Sequence, residues 1–222
     1  MDLILFICML IVPAIAQVLV SSSYSTYRNI ENKKSLSGFE VARKILDKNG
    51  LSDVYVVQTK GNLTDHYDPK RKVVRLSTEV YHGNSIASLA VAAHECGHAI
   101  QDKVGYTYMR IRSFIFPAVH FATTFSYLVL LLGLFMESME LVWLGICFVG
   151  TGLVFQIVTL PVEIDASKRA KKEIEDINLA DEEEQSGVAK MLSAAASTYL
   201  AGVLSSALEL VRLILLFGNR ED

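Results

Sequence analysis

Four long apolar segments constrain the fold of this chain more than any other feature. They cover residues 3–20, 113–136, 141–160 and 188–217, and their lengths are close to the roughly 20 residues that a helix needs to cross a bilayer. Backbone polar groups in lipid must pair within the chain, so such segments are predicted to be helices. Glu209 and Arg212 interrupt the fourth segment, which therefore either spans the membrane or lies in its interface.

The first apolar segment is either a retained anchor or a cleavable signal peptide. Residues 14–16 read Ala-Ile-Ala, which resembles the small-residue site of signal cleavage. However, the segment begins Met-Asp and lacks the basic residues that precede a signal-peptide core. We therefore expect an uncleaved transmembrane anchor.

The charged residues predict how the chain is oriented in the membrane. Its net charge of -3 provides no bulk attraction to nucleic acid, so no nucleic-acid partner is expected. No Lys or Arg occurs between Arg112 and Lys168, and the hairpin at 137–140 is acidic. Because basic residues favour the cytoplasmic side, the polar segments are predicted to be cytoplasmic, with the N-terminus and the hairpin outside.

Residues 94–98 read His-Glu-Cys-Gly-His within a predicted helix whose N-cap is Ser85 or Asn84. Residues four apart lie on one helix face, so His94 and His98 can bind one metal ion. We expect a single Zn²⁺, which suits imidazole ligands and lowers the pKa of a water molecule whose proton Glu95 would accept. The alternative is a buried helix whose two histidines satisfy hydrogen bonds in the core.

Glu163 is the best candidate for a third metal ligand. Two predicted spans separate it from His98, and an even number of crossings returns the chain to the same side of the membrane. On the sequence alone, Glu163 is either that ligand or an acidic residue that stabilises the N-terminus of a new helix.

The polar segment between the first two apolar segments predicts a small mixed domain. Helical periodicity covers residues 37–48, and β-branched runs predict strands at 53–59 and 72–77, with a turn at 68–69 between them. An exposed edge of the resulting sheet could pair with an extended peptide. The acidic run at 181–184 is interpreted as a solvated loop.

Four stretches of the chain resemble the membrane-bound neutral zinc metallopeptidases of bacteria, the YugP-like family. The stretches are LTDHYDP at 63–69, RLST at 75–78, VAAHECGHAIQD at 91–102 and LPVEIDASKRA at 160–170. The family is similar in layout to HtpX-type membrane gluzincins. The resemblance implies that His94, His98 and Glu163 bind the zinc ion and that Glu95 is the catalytic glutamate. Cys96 departs from the aliphatic residue often found in the family, but it faces away from the metal side of the helix.

Three further residues are weaker candidates near the site. Asp165 and Asp102 could each accept a hydrogen bond from a ligand imidazole and so orient it. His66 could line the cleft or stabilise an oxyanion. Each of the three could instead be an ordinary surface or packing residue.

These patterns predict an α-helical integral membrane protein with a small α+β zincin-like catalytic domain that carries the HExxH helix. The predicted segments are an anchor (1–20), a cytoplasmic zincin-like domain (21–112), a transmembrane hairpin (113–160), a cytoplasmic third-ligand helix with an acidic loop (161–187) and a C-terminal transmembrane or interfacial helix (188–222).

The predicted function is a zinc endopeptidase in the bacterial inner membrane, which cleaves protein or peptide substrates at the cytoplasmic face. The first alternative is a non-catalytic scaffold or adaptor with a structural zinc. The second is an intramembrane protease. Residues 85–93, just before His94, argue against it because they are only mildly apolar and too few to span a bilayer. The lipid bilayer is the expected partner, and the sequence contains no signal for a particular substrate or oligomeric state.

Overall fold

The computed structural model describes residues 2–218 of the chain, so residues 1 and 219–222 of the predicted terminal segments lie outside the described part. The described residues form a mostly helical protein with one small sheet. The elements are α1 (Asp2–Tyr27), α2 (Gly38–Lys48), β1 (Tyr55–Thr59), β2 (His66–Asp68), β3 (Val73–Ser77), α3 (Thr78–His82), α4 (Ile86–Lys103), α5 (Thr107–Phe135), α6 (Met139–Asp176) and α7 (Glu182–Phe217).

The chain divides into two compact units. The apolar unit comprises the residues up to Gln17, residues Thr107–Pro161 and the residues from Ser197 onward. The polar unit comprises Val18–Tyr106 and Val162–Ala196.

Helices α1, α5, α6 and α7 are each long and apolar enough to cross a membrane. Many of their large apolar side chains face outward, including Phe114 and Phe135, which are 85% and 88% exposed. Outward-facing apolar side chains on long helices are typical of a surface that contacts lipid. The four predicted apolar segments therefore lie on helices, and the fourth falls within α7.

The apolar unit is held together partly by close contact between α5 and α6. A Cβ atom added at Gly145 of α6 would lie 2.8 Å from the backbone nitrogen of Leu130 in α5. Small residues allow membrane helices to approach this closely and gain dispersion contacts. Around this crossing, Leu130, Val142 and Ile146 are buried in an apolar cluster.

Helix α6 corrects the expectation that a new helix begins near residue 161. It is a single helix from Met139 to Asp176, and Pro161 lies inside it. Proline removes one backbone donor, but neighbouring groups often compensate for that loss in membrane helices. Glu163 is therefore in the interior of a helix, which excludes the interpretation that it stabilises a helix N-terminus.

The acidic run at 181–184 begins α7 rather than forming a loop. The backbone N–H of Glu184 donates to Asp181 Oδ1 at 3.0 Å, and the N–H of Asp181 donates to Glu184 Oε2 at 2.9 Å. This reciprocal pair is a capping box, which satisfies two backbone donors at the start of the helix. The run of like charges had suggested a solvated loop. The informative signal was the spacing of three between Asp181 and Glu184, which fits a helix N-terminus.

The polar unit contains a three-stranded sheet in the order β1-β3-β2. Strands β1 and β3 fall within the two predicted strand segments and pair in parallel, and β2 was not predicted as a strand. Its three residues pair antiparallel with β3, and the Tyr67 hydroxyl donates to Asp102 of α4 at 2.9 Å. This bond ties the sheet to the helix that carries the histidines.

Helices α2 and α4 pack together in the core of the polar unit. Helix α2 lies within the predicted helical segment 37–48, and its N-cap Ser37 forms a capping box with Glu40. Helix α4 follows Ser85, one of its two predicted N-caps, which accepts from the N–H of Ser88. Their buried apolar residues belong to one continuous cluster, which includes Ile45, Leu46, Leu89, Ala92 and Ala99. This packing holds α4 rigidly in place, so the side chains on its opposite face have fixed positions.

Candidate metal centre

Helix α4 presents His94 and His98 on one face, as their spacing requires. The two imidazole rings are nearly perpendicular, with centroids 4.8 Å apart and an interplanar angle of 83°. The side chain of His98 is 11% exposed and that of His94 is 15% exposed. The histidine pair is therefore mostly but not completely enclosed.

Helix α6 adds the carboxylate of Glu163 to the histidine pair. Glu163 Oε2 lies 3.3 Å from His94 Nε2 and 3.4 Å from His98 Nε2, and Glu163 is 2% exposed. Two ligand atoms that each lie about 2.0 to 2.2 Å from a tetrahedral zinc ion are roughly 3.3 to 3.6 Å apart. The observed separations match that spacing, and two imidazoles with one carboxylate form a donor set that suits zinc. These three residues are therefore a group that could hold a metal ion.

Gly97 allows the two ligand-bearing helices to meet. A Cβ atom added at this residue would lie 2.5 Å from the carbonyl oxygen of Ala166 in α6, well inside van der Waals contact. Gly97 precedes His98, and Ala166 lies three residues after Glu163. A side chain at residue 97 would separate the backbones at the point where the ligands converge.

The second nitrogen of each imidazole has its own oxygen partner. His94 Nδ1 lies 3.2 Å from Ser167 Oγ, and His98 Nδ1 lies 3.0 Å from Gln101 Oε1. An oxygen that accepts from Nδ1–H favours the tautomer that carries its proton there, so that a neutral imidazole has its free lone pair on Nε2, the nitrogen nearer Glu163.

Sequence reasoning missed both of these partners because it considered only carboxylates. Spacing was the available signal: Gln101 follows His98 by three residues and Ser167 follows Glu163 by four. Both separations place the two side chains of a pair on one helix face.

Burial and charge act in opposite directions on the histidine pair. Burial lowers the pKa of His98, but the hydrogen bond with Glu163 and the charges of Glu95 and Glu163 outweigh it, so the net shift is upward. The two carboxylates thus stabilise positive charge at this position, as they would stabilise a bound cation.

Glu95 and Cys96, which lie between His94 and Gly97, have different surroundings. Glu95 is buried at 8% exposure, next to the first histidine. The Cys96 thiol donates to the backbone carbonyl of Ala42 in α2 at 3.6 Å, so it faces the core. Burial raises the pKa of that thiol, which makes Cys96 a packing residue rather than a metal ligand.

The three weaker candidates lie in different places. Asp165 accepts hydrogen bonds from Gln101 and Arg169, so it contacts the residue whose amide oxygen lies beside His98 Nδ1. Asp102 accepts from Tyr67 and joins α4 to the sheet. His66 is exposed on β2, where its Nδ1 lies 2.8 Å from the carbonyl oxygen of Thr64.

The family that this chain matches is described by the metal zinc, which agrees with the two imidazoles and one carboxylate of this site. Residues 2–218 match the model of a family described as "Putative neutral zinc metallopeptidase". The chain is 46% identical over 207 residues to the "Putative membrane protease YugP" of Bacillus subtilis (strain 168), and the match covers 93% of this chain and 92% of that protein. No solved structure matches the chain. The two matches confirm the family resemblance that was drawn from the four sequence stretches.

Proposed function

The chain belongs to the family of neutral zinc metallopeptidases, and from this premise we propose that it is a membrane-anchored zinc endopeptidase of the gluzincin type. It hydrolyses peptide bonds of protein substrates at the cytoplasmic membrane face. His94, His98 and Glu163 hold one zinc ion, and Glu95 is the catalytic residue of a zincin-like site on α4.

The observation that carries this proposal is the convergence of three ligand atoms from two helices. Glu163 Oε2 lies 3.3 and 3.4 Å from the two Nε2 atoms, although Glu163 belongs to a different helix, far along the sequence from the histidines. Histidines that merely filled a core would not need a buried carboxylate within 3.4 Å of both rings. A metal ion accounts for all three groups together.

The proposed roles of the residues are those of a zinc hydrolase. Bound zinc supplies Lewis acidity, which lowers the pKa of a water molecule and polarises a peptide carbonyl. Glu95 takes a proton from water as the water oxygen attacks the carbonyl carbon. The carbon–nitrogen bond then breaks, and Glu95 transfers that proton to the departing amine. Each turnover consumes one water molecule and leaves Glu95 ionised again.

The number of ligands favours catalysis over a structural zinc in a scaffold or adaptor. Structural zinc sites use four protein ligands, whereas catalytic sites use three and keep one position for water or substrate. Among residues 2–218, the group that could hold a metal comprises three side chains. An adaptor with a closed zinc site would need a fourth ligand beside them.

Replacing Glu95 by Gln tests this function. We expect Glu95→Gln to bind zinc as the parent does and to lose peptide hydrolysis by about 100-fold or more, because the base for proton transfer is removed. The measurement combines the zinc content of the purified full-length protein with cleavage of casein or a membrane-protein substrate.

Glu175→Gln is the matched control for that variant. Glu175 is exposed on α6, so the same chemical change there should leave hydrolysis at the parental rate. Cleavage by Glu95→Gln as fast as by the parent would overturn the proposed mechanism. A zinc-containing parent that cleaves no peptide would support the adaptor alternative instead.

We place the protein in the inner membrane of a bacterial cell, with the polar unit in the cytoplasm. Basic residues flank the spans on the side of the polar unit, and the hairpin between α5 and α6 is acidic. The four candidate spans are consistent with a multi-pass arrangement.

Labelling of single cysteines tests this orientation. In a background with Cys8, Cys96 and Cys147 replaced by Ala, a membrane-impermeant maleimide should label Glu140→Cys in intact cells. It should label Lys60→Cys, in the exposed loop after β1, only after the membrane is permeabilised. The reverse pattern would place the polar unit outside.

A further inference from the structure

Gln101 contacts both of the helices that carry the metal ligands. Its side chain is wholly buried in α4, at 0% exposure, and its Oε1 lies 3.0 Å from His98 Nδ1. Its Nε2 donates to the backbone carbonyl of Val162 and to Asp165 Oδ2, both at 2.8 Å. Val162 and Asp165 lie on either side of Glu163 in the sequence of α6.

The partners of Gln101 determine which way its carboxamide points. Both partners of Nε2 are acceptors, a carbonyl oxygen and a carboxylate oxygen. In the flipped orientation, Oε1 would face two acceptors in a buried site, which is strongly unfavourable. The amide oxygen therefore faces His98, where it can only accept a hydrogen bond from Nδ1–H.

In a neutral imidazole, a proton on Nδ1 leaves the free lone pair on Nε2, the atom that lies 3.4 Å from Glu163 Oε2. This tautomer is the form that binds a metal through Nε2. Gln101 thus connects the orientation of one ligand, His98, to the position of the helix segment that bears another, Glu163.

Further contacts hold Asp165, one of the partners of Gln101, in place. Arg169 Nε donates to Asp165 Oδ2 at 2.6 Å, and its guanidinium lies over the ring of Tyr106, 5.9 Å from the centroid. The backbone N–H of Tyr106 donates to the carbonyl of Gln101 at 2.9 Å. The contacts form a closed loop from α4 to α6 and back to the end of α4.

From these contacts we infer that Gln101 is a positioning residue for zinc, which selects the metal-binding tautomer of His98 and fixes α6 at Glu163 through Val162 and Asp165. The inference rests on the proposed zinc site and deepens it. It assigns to a neutral carboxamide the orienting role that a carboxylate often has beside a metal-binding histidine.

The test is the zinc affinity of the full-length protein in detergent, measured by competition with a chromophoric chelator. Gln101→Met keeps the length of the side chain and removes both the acceptor and the donor. We expect its zinc affinity to fall by about 10- to 100-fold, the range for loss of such a partner. Its melting temperature without zinc reports any separate effect on packing.

A second variant keeps the test readable. Gln101→Glu keeps an acceptor for His98 Nδ1 but removes the amide donor, so its second oxygen faces the Val162 carbonyl and the Asp165 carboxylate. Zinc affinity should again fall, because α6 loses both hydrogen bonds that fix it beside Glu163. The retained acceptor at Nδ1 separates this effect from the loss of the tautomer.

The outcomes separate the inference from the function on which it rests. Parental zinc affinity in Gln101→Met would overturn the inference. If Gln101→Met does not fold, a Gln101→Glu protein that binds zinc as tightly as the parent would overturn it. A folded parent that binds no zinc would overturn the proposed function, and the inference with it.

Discussion

Helix α6 meets another helix at close range in each unit, and the two crossings differ in what surrounds the glycine. In the apolar unit, Gly145 of α6 lies against the backbone of Leu130 in α5. In the polar unit, Gly97 of α4 lies against the backbone of Ala166 in α6. In both crossings the backbones can touch because glycine has no side chain.

The neighbours of each glycine decide what the crossing does. Around Gly145 the buried side chains are apolar, so the contact contributes dispersion energy that holds α5 and α6 together. Around Gly97 the neighbours are His98, Glu163 and Gln101, which are buried and polar. Buried polar groups require partners, so this crossing also aligns donors and acceptors from both helices. A close helix crossing therefore becomes a chemical site only where it carries such groups.

The largest expected effect comes from Gly97→Ala. The added methyl group would lie 2.5 Å from the Ala166 carbonyl oxygen and must push α6 away, which moves Glu163 from the histidines. We expect zinc affinity to fall by more than about 100-fold, beyond the usual effect of losing an orienting partner. Chelator competition on the purified protein measures it.

Cys96→Ala is the control for that variant, because its side chain lies in the same helix but contacts Ala42 of α2. It should leave zinc affinity at the parental value. A Gly97→Ala protein that binds zinc as tightly as the parent would show that the crossing does not set the ligand geometry.

Gly145→Ala should have a smaller effect, confined to stability. Its methyl group would lie 2.8 Å from the Leu130 backbone nitrogen, so overpacking should cost about 1 to 3 kcal/mol of unfolding free energy. Zinc affinity should remain that of the parent, because no ligand lies at this crossing. Thermal unfolding in detergent, followed with and without zinc, gives both quantities. A loss of zinc affinity equal to that of Gly97→Ala would remove the distinction between the crossings.

Much of the secondary structure could be predicted because its signals are local. The apolar lengths predicted the long helices, and helical periodicity predicted α2. A capping residue predicted the start of α4, and β-branched runs predicted β1 and β3. Strand β2 was missed because its three residues, His-Tyr-Asp, have no strand pattern of their own and pair only with β3. The continuity of α6 was missed because proline usually ends a helix in water.

The candidate site was predictable to a similar extent. His94 and His98 follow from the spacing of four, and Glu163 was reached through the count of predicted spans. Gln101 and Ser167 were missed because only carboxylates were considered as partners of the histidines, although the spacing of both residues placed them on the ligand faces of their helices.

The sequence alone determined the features that depend on neighbours within one helical turn or on the length of an apolar run. These are the long apolar helices, the pairing of His94 with His98, and the family to which the chain belongs. Only the tertiary structure decided the contacts across α4 and α6: the distance from Glu163 to both imidazoles, the backbone approach at Gly97, and the orientation of Gln101. The physical reason is that these contacts join residues about 60 positions apart, and packing of two helices, rather than any local preference, sets their geometry.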